Sequence, residues 1–121
     1  MSNYLEKLLS NSTSPLNSKE PSLSEELLEQ AGLLADDLLG MLYTRNGFYA
    51  LESALHVFPS HSVEGETGID EWNSHSLWRG EYGEMVGNCL FFAEDVFGSQ
   101  FCIKDNKVCT FDPETGAFEY L

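Results

Sequence analysis

A chain of 121 residues with 42% hydrophobic and 12% aromatic side chains suffices for one domain with a buried core and leaves no room for a separate catalytic domain. Its 20 acidic residues against 6 basic ones give a formal charge of −14, a field that repels nucleic-acid phosphates and steers a basic partner inward. No stretch approaches the roughly 20 apolar residues a membrane helix needs, and residues 1–10 lack the basic-then-apolar order of a signal peptide, so the expected compartment is the cytosol.

In chain order, Tyr4, Leu5, Leu8 and Leu9 fall at helical spacing, which predicts a short amphipathic helix over residues 3–10. The following "SNSTSPLNSKEP" is polar, carries two prolines and reads as a linker, so residues 1–22 stand apart from a domain over residues 23–121. Ser22 and Glu25 have capping-box spacing at the start of "ELLEQAGLLADDLLGMLYTRNG". That run divides at Gly32, because Asp36 and Asp37 suit a new N-terminus whose dipole favours carboxylates. Two helices are expected, over 23–31 and 35–45, the second carrying Leu38, Met41, Leu42 and Arg45 on one face and stopping at Asn46-Gly47.

The period then changes. "ALHVFP" predicts a strand from Leu55 to Phe58, whereas "FYALE" before it is ambiguous. "SHSVEGETG" reads as a loop, "IDEWNSHSLW" as a short helix with Ile69, Trp72 and Ser76 inward, and "RGEYGEMVGN" as another loop. In "NCLFFAE", strict alternation puts Cys89, Phe91 and Ala93 on one side and Leu90 and Phe92 on the other, a strand buried on both faces. "DVFG" makes the next reversal. Asp105-Asn106 tolerates positive φ and predicts a two-residue hairpin pairing Lys104 with Lys107, Ile103 with Val108 and Cys102 with Cys109. The facing lysines predict a solvated hairpin tip. In "DPETG", Pro113 fixes a type I turn and Gly116 takes the left-handed position before the last strand, "AFEYL". The whole reads as an α+β fold, an antiparallel meander packed by the N-terminal helices.

Chemistry is hard to find in this pattern. The thiols at 89, 102 and 109 are odd in number and lack metal-ligand spacing, and His56, His61 and His75 are scattered, so neither a metal nor a cofactor is expected. A Cys–His nucleophile would need a thiolate, which strand-buried cysteines disfavour; these thiols are expected to stay reduced. Glu94 and Asp95 are adjacent on a strand and so face opposite ways, and phosphate-binding glycine patterns are missing. The expectation is a protein without enzymatic activity.

Three segments, "RNGFYALESALHVFPS", "GIDEWNSHSLWRGEYGEM" and "LFFAEDVFGSQFCIKDNKVCTFDPETGAFEYL", resemble the SUKH superfamily in order and phrasing over residues 23–121. The group takes its name from a yeast cell-wall regulator and includes many bacterial immunity proteins. The resemblance implies a central antiparallel sheet, no catalysis, and function by binding protein: neutralising a cognate toxin, for which the acidic surface favours a basic nuclease. Members commonly continue past the "DPETG" hairpin into a helical segment, so this chain, ending at Leu121, is expected to lack it. The alternative within the same fold is an intracellular scaffold or regulatory adaptor.

The candidate binding residues lie between positions 64 and 84. Glu64, Glu66, Asp70, Glu71, Glu81 and Glu84 are opposed there only by Arg79. They read either as a face for a basic toxin or as an ordinary solvated loop. Trp72 reads as core, and Trp78, beside Arg79, as a partly exposed member of the binding face.

Overall fold

The computed structural model describes residues 15–51, 54–74 and 89–120. The expected helix over 3–10, Ser76, Trp78, Arg79, Glu81 and Glu84 lie outside them. Helix α1 spans Glu25–Ala31, a 3-10 turn covers Gly32–Leu34, and helix α2 runs Ala35–Thr44. The division falls where Gly32 weakens the helical run, and Asp36 and Asp37 occupy the first turn of α2.

The capping box is displaced from its expected place. Ser24, not Ser22, caps α1, its side chain accepting from the Leu27 amide. Ser22 is drawn away by a tertiary partner, His61, 2.9 Å from its hydroxyl.

Among the described residues, six strands form one antiparallel sheet in sequential order: β1 Phe48–Ala50, β2 Leu55–Val57, β3 Leu90–Asp95, β4 Gln100–Lys104, β5 Lys107–Asp112 and β6 Ala117–Tyr120. The ambiguous "FYA" is therefore a strand, pairing Phe48 with Val57 and Ala50 with Leu55. Gly47, at φ 81°, lets the chain leave α2 and enter β1, and a Cβ there would meet the Pro59 nitrogen at 2.6 Å.

The β4–β5 hairpin has the expected register. Lys104 faces Lys107, Ile103 faces Val108 and Cys102 faces Cys109. Asp105 and Asn106 take φ of 52° and 63°, the left-handed pair that a two-residue hairpin turn requires. The tip is less bare than two facing lysines imply. Lys104 Nζ lies 3.1 Å from Asp105 Oδ2, both lysines approach the Tyr120 ring, and Asn106 Oδ1 accepts the Leu33 amide, tying the tip to the 3-10 turn. In the next turn Asp112 Oδ1 accepts the Glu114 amide and Gly116 has φ 75°.

Strand β3 departs from simple alternation. Phe91 pairs with Cys102 but Ala93 pairs with Phe101, so the register shifts at Phe92. The expected grouping of Cys89, Phe91 and Ala93 on one side is thereby corrected. Cys89 and Phe91 pack with Cys102, Cys109 and Phe111, whereas Ala93 joins Phe48, Ala50 and Val57. A bulge turns every later side chain to the other face, which pattern reading alone cannot detect.

The helices bury Leu27, Ala31, Leu38 and Leu42 against Leu90 and Ile103, with Phe58 and Ile69 in the same cluster. Phe91 and Phe111 are fully buried with ring centroids 5.6 Å apart; truncating either to alanine would cost roughly 3–5 kcal/mol. Among the described residues no helix is long and apolar enough to cross a membrane.

Candidate protein-binding surface

The described part of the candidate surface is residues 58–74, after β2, and a polar lattice fixes its shape. Asn46, buried at the end of α2, accepts the Ser60 amide at 2.8 Å and donates to the Lys19 carbonyl at 3.1 Å. Leu16 and Asn17 donate their backbone amides to the Gly47 and Asn46 carbonyls. Residues 15–22 thus lie bonded along the loop and the end of α2, through groups that carry no local sequence signal.

Helix α3, Ile69–Trp72, starts where the Ile69 amide donates to the Pro59 carbonyl at 2.7 Å. Gly68 admits this close approach, since a Cβ on it would overlap the backbone of His61 and Ser62. After α3, buried Asn73 makes a backbone-like contact with β3: its amide donates to the Phe91 carbonyl and its carbonyl accepts the Phe91 amide, both at 2.8 Å. On its β3 side, strand β2 pairs with Ala93, Glu94 and Asp95, and the Phe58 amide donates to the Phe92 carbonyl; Asn73 continues that ladder to Phe91 in side-chain form. Trp72 is partly buried, its ring 5.4 Å from Phe58 and its Nε1 donating to Gln100 Oε1 at 2.9 Å.

On this frame, three of the predicted carboxylates are exposed and one is not. Glu64, Asp70 and Glu71 reach solvent, Asp70 with 41% of its side chain exposed. Asp70 Oδ2 sits 2.8 Å from His61 Nδ1, and Glu71 Oε2 accepts the Ser62 hydroxyl at 2.6 Å. Asp70 and Glu71 are each oriented by a neighbour while their charges still face water. Glu66, expected to share this face, instead has a side chain only 22% exposed and points across the sheet. Its carboxylate receives the Tyr49 hydroxyl at 3.3 Å and approaches His56 Nε2 at 3.2 Å without hydrogen-bond alignment. On the other side of His56, Nδ1 lies 3.1 Å from Glu94 Oε2, and the imidazole stacks on Tyr49. Burial, then the Glu66 charge, raises the Tyr49 pKa above its ordinary value.

Ser22, His61 and Asp70 line up as hydroxyl, imidazole and carboxylate, an order that nucleophilic hydrolases use. Their surroundings oppose that chemistry. All three are exposed, and Glu71 and Asp70 would repel the oxyanion such a site must stabilise. The relay serves to tie residues 15–22 to the loop.

The three thiols are buried and none is in a disulfide. A hydrogen bond with Cys89 and then burial push the Cys102 pKa far up, and burial raises that of Cys109, so neither holds a thiolate at neutral pH. Among the described residues, no group of three or more His, Cys, Asp or Glu is placed to hold a metal ion.

Compared with known protein families, with curated proteins and with solved structures, the chain gives no match.

Proposed function

We propose that this chain is a protein-binding domain that works by recognition rather than by chemistry. More particularly, we read it as an immunity protein of the SUKH kind, which neutralises a cognate bacterial toxin of basic character, a nuclease for preference, in the cytosol. The observation that carries this reading is the trio of exposed carboxylates Glu64, Asp70 and Glu71, the latter two oriented by His61 and Ser62, within a chain of charge −14. Exposed carboxylates accelerate encounter with a basic protein and help to orient it without needing a deep pocket. The buried, protonated thiols and the carboxylate field around the Ser22 relay support a non-enzymatic role.

The test uses the product of the adjacent gene, expressed with and without this chain, with growth as the readout and stopped-flow association as the mechanism. The triple variant Glu64→Gln, Asp70→Asn, Glu71→Gln should associate more slowly at low salt and with a flatter salt dependence. Glu66 is left intact because it belongs to the Tyr49–His56 cluster. Failure of this chain to rescue growth would sink the immunity reading. An unchanged rate and salt slope in the triple variant would reduce the acidic trio to solvated surface.

A further inference from the structure

At the opposite end of β2 from the acidic trio, the sheet leaves apolar surface uncovered. The β3–β4 turn holds Phe97 with 91% of its surface exposed and Val96 with 63%, and Leu51, after β1, is 57% exposed. These positions are fixed. Asp95 Oδ1 accepts the amides of Phe97 and Ser99, the Val96 amide donates to the Ala54 carbonyl, and the Ala54 amide donates to Leu51. Leu51 holds a left-handed backbone at φ 53°, a conformation that costs a non-glycine residue energy.

Between these side chains and α2 lies a groove of about 450 Å³, running from Leu51 and Phe97 to Met41 and Phe92. Met41 and Phe92 also line a smaller cleft of about 100 Å³ that continues to Leu34 and Val108. Together they form one elongated apolar channel. Among the described residues, the charged side chains lining it are both carboxylates, Asp95 in the groove and Asp37 in the cleft.

We propose that this channel is the docking site for an amphipathic basic segment of the partner protein, with a bulky apolar side chain seated against Phe97 and flanking Lys or Arg side chains meeting Asp37 and Asp95. The inference rests on the protein-binding reading and supplies what the acidic trio lacks. Exposed carboxylates mainly set the encounter rate, whereas an apolar pocket beside an exposed aromatic sets the lifetime of the complex. Charge selects the occupant: a second copy of a chain with net charge −14 would bring like charges to a channel already flanked by carboxylates.

The probe is a synthetic amphipathic helix of leucine and lysine, about 18 residues long, titrated into the full chain. Two controls accompany it: the same composition shuffled to remove the apolar face, and a leucine–glutamate counterpart. The Leu/Lys helix should bind, and Phe97→Ser and Met41→Ser should each weaken it at least tenfold. The shuffled peptide should bind weakly and ignore both substitutions, and the acidic one should not bind. Circular dichroism of each variant confirms that the fold is retained.

No binding of the Leu/Lys helix, or an affinity indifferent to Phe97→Ser, overturns the channel. If affinity then falls with the Glu64, Asp70 and Glu71 triple variant instead, the protein-binding reading survives without it. Self-association in sedimentation that Phe97→Ser abolishes would make a second copy the occupant. A tenfold gain in peptide affinity from Leu5→Ser with Leu8→Ser would make it the chain's own N-terminal segment. Either result overturns the basic partner.

Discussion

The two ends of strand β2 treat their side chains in opposite ways. At the Phe58 end, polar groups are collected and engaged: Asn46 with Ser60, Asn73 with Phe91, Glu66 with Tyr49 and His56, Asp70 with His61. At the Leu55 end, a turn with well-bonded backbone holds apolar side chains out in water, Phe97 most of all. The difference teaches where to look for function. A solvated carboxylate is ordinary and a buried amide is structural, but an aromatic carried into solvent by a well-bonded turn gains nothing for folding and is the informative exposure.

If that contrast is right, the polar end carries stability and the apolar end does not. Asn73→Ala is expected to have the largest effect. It strips both partners from the Phe91 backbone in a buried site and should lower the unfolding free energy by about 3 kcal/mol, measured by urea denaturation. A loss under about 1 kcal/mol would mean that water or a neighbour replaces the amide, and the latch would not be structural.

Glu66 and Glu64 sharpen the comparison within one loop. Glu66→Gln disturbs a partly buried carboxylate shared by Tyr49 and His56 and should cost about 1 kcal/mol. Glu64→Gln, two residues away and exposed, should change stability by less than about 0.5 kcal/mol. Equal effects in the same denaturation assay would erase the distinction between inward and outward acids.

A smaller, pH-dependent effect belongs to the hairpin tip. A hydrogen bond from Tyr120, then one from Lys104, lowers the Asp105 pKa below its ordinary 3.8. The folded chain therefore favours the carboxylate: the contribution is full above the unfolded value and is lost as pH falls through the lower folded value. Asp105→Asn keeps a residue that accepts positive φ and should flatten the acid limb of stability below about pH 4. An unchanged acid limb in denaturation from about pH 6 to about pH 2.5 would show that the Tyr120 contact does not persist in solution.

The smallest stability effect is expected where the binding effect is largest. Phe97→Ser should leave the denaturation midpoint within about 0.5 kcal/mol of the parent, because almost all of the ring is already in water. A clear loss of stability would make Phe97 a packing residue and return the apolar end to the fold.

What the sequence determined is what depends on neighbours along the chain. The division of the helical run at Gly32, with Asp36 and Asp37 opening α2, follows from propensity and dipole. The 104–107 hairpin and its register follow because few residue pairs besides Asp-Asn accept two left-handed positions in succession. The α+β class and the acidic character were legible for the same reason, since apolar period and charge are sums over local residues.

Tertiary structure alone decided the rest. The bulge at Phe92 arises where β3 must satisfy β2 and β4 together, a constraint that alternation within one strand does not contain. Ser22 was free to cap a helix until His61, 39 residues away, took its hydroxyl and left the cap to Ser24. Asn46 and Asn73 look like ordinary turn residues in sequence, and their weight comes from the Ser60 and Phe91 backbone groups that folding brings within 2.8 Å. In composition Glu64 and Glu66 are equivalent charges, and Phe97 is one more aromatic in an apolar strand end. Whether each faces the core or the solvent depends on which strand lies beside it, and the chain specifies that only by folding.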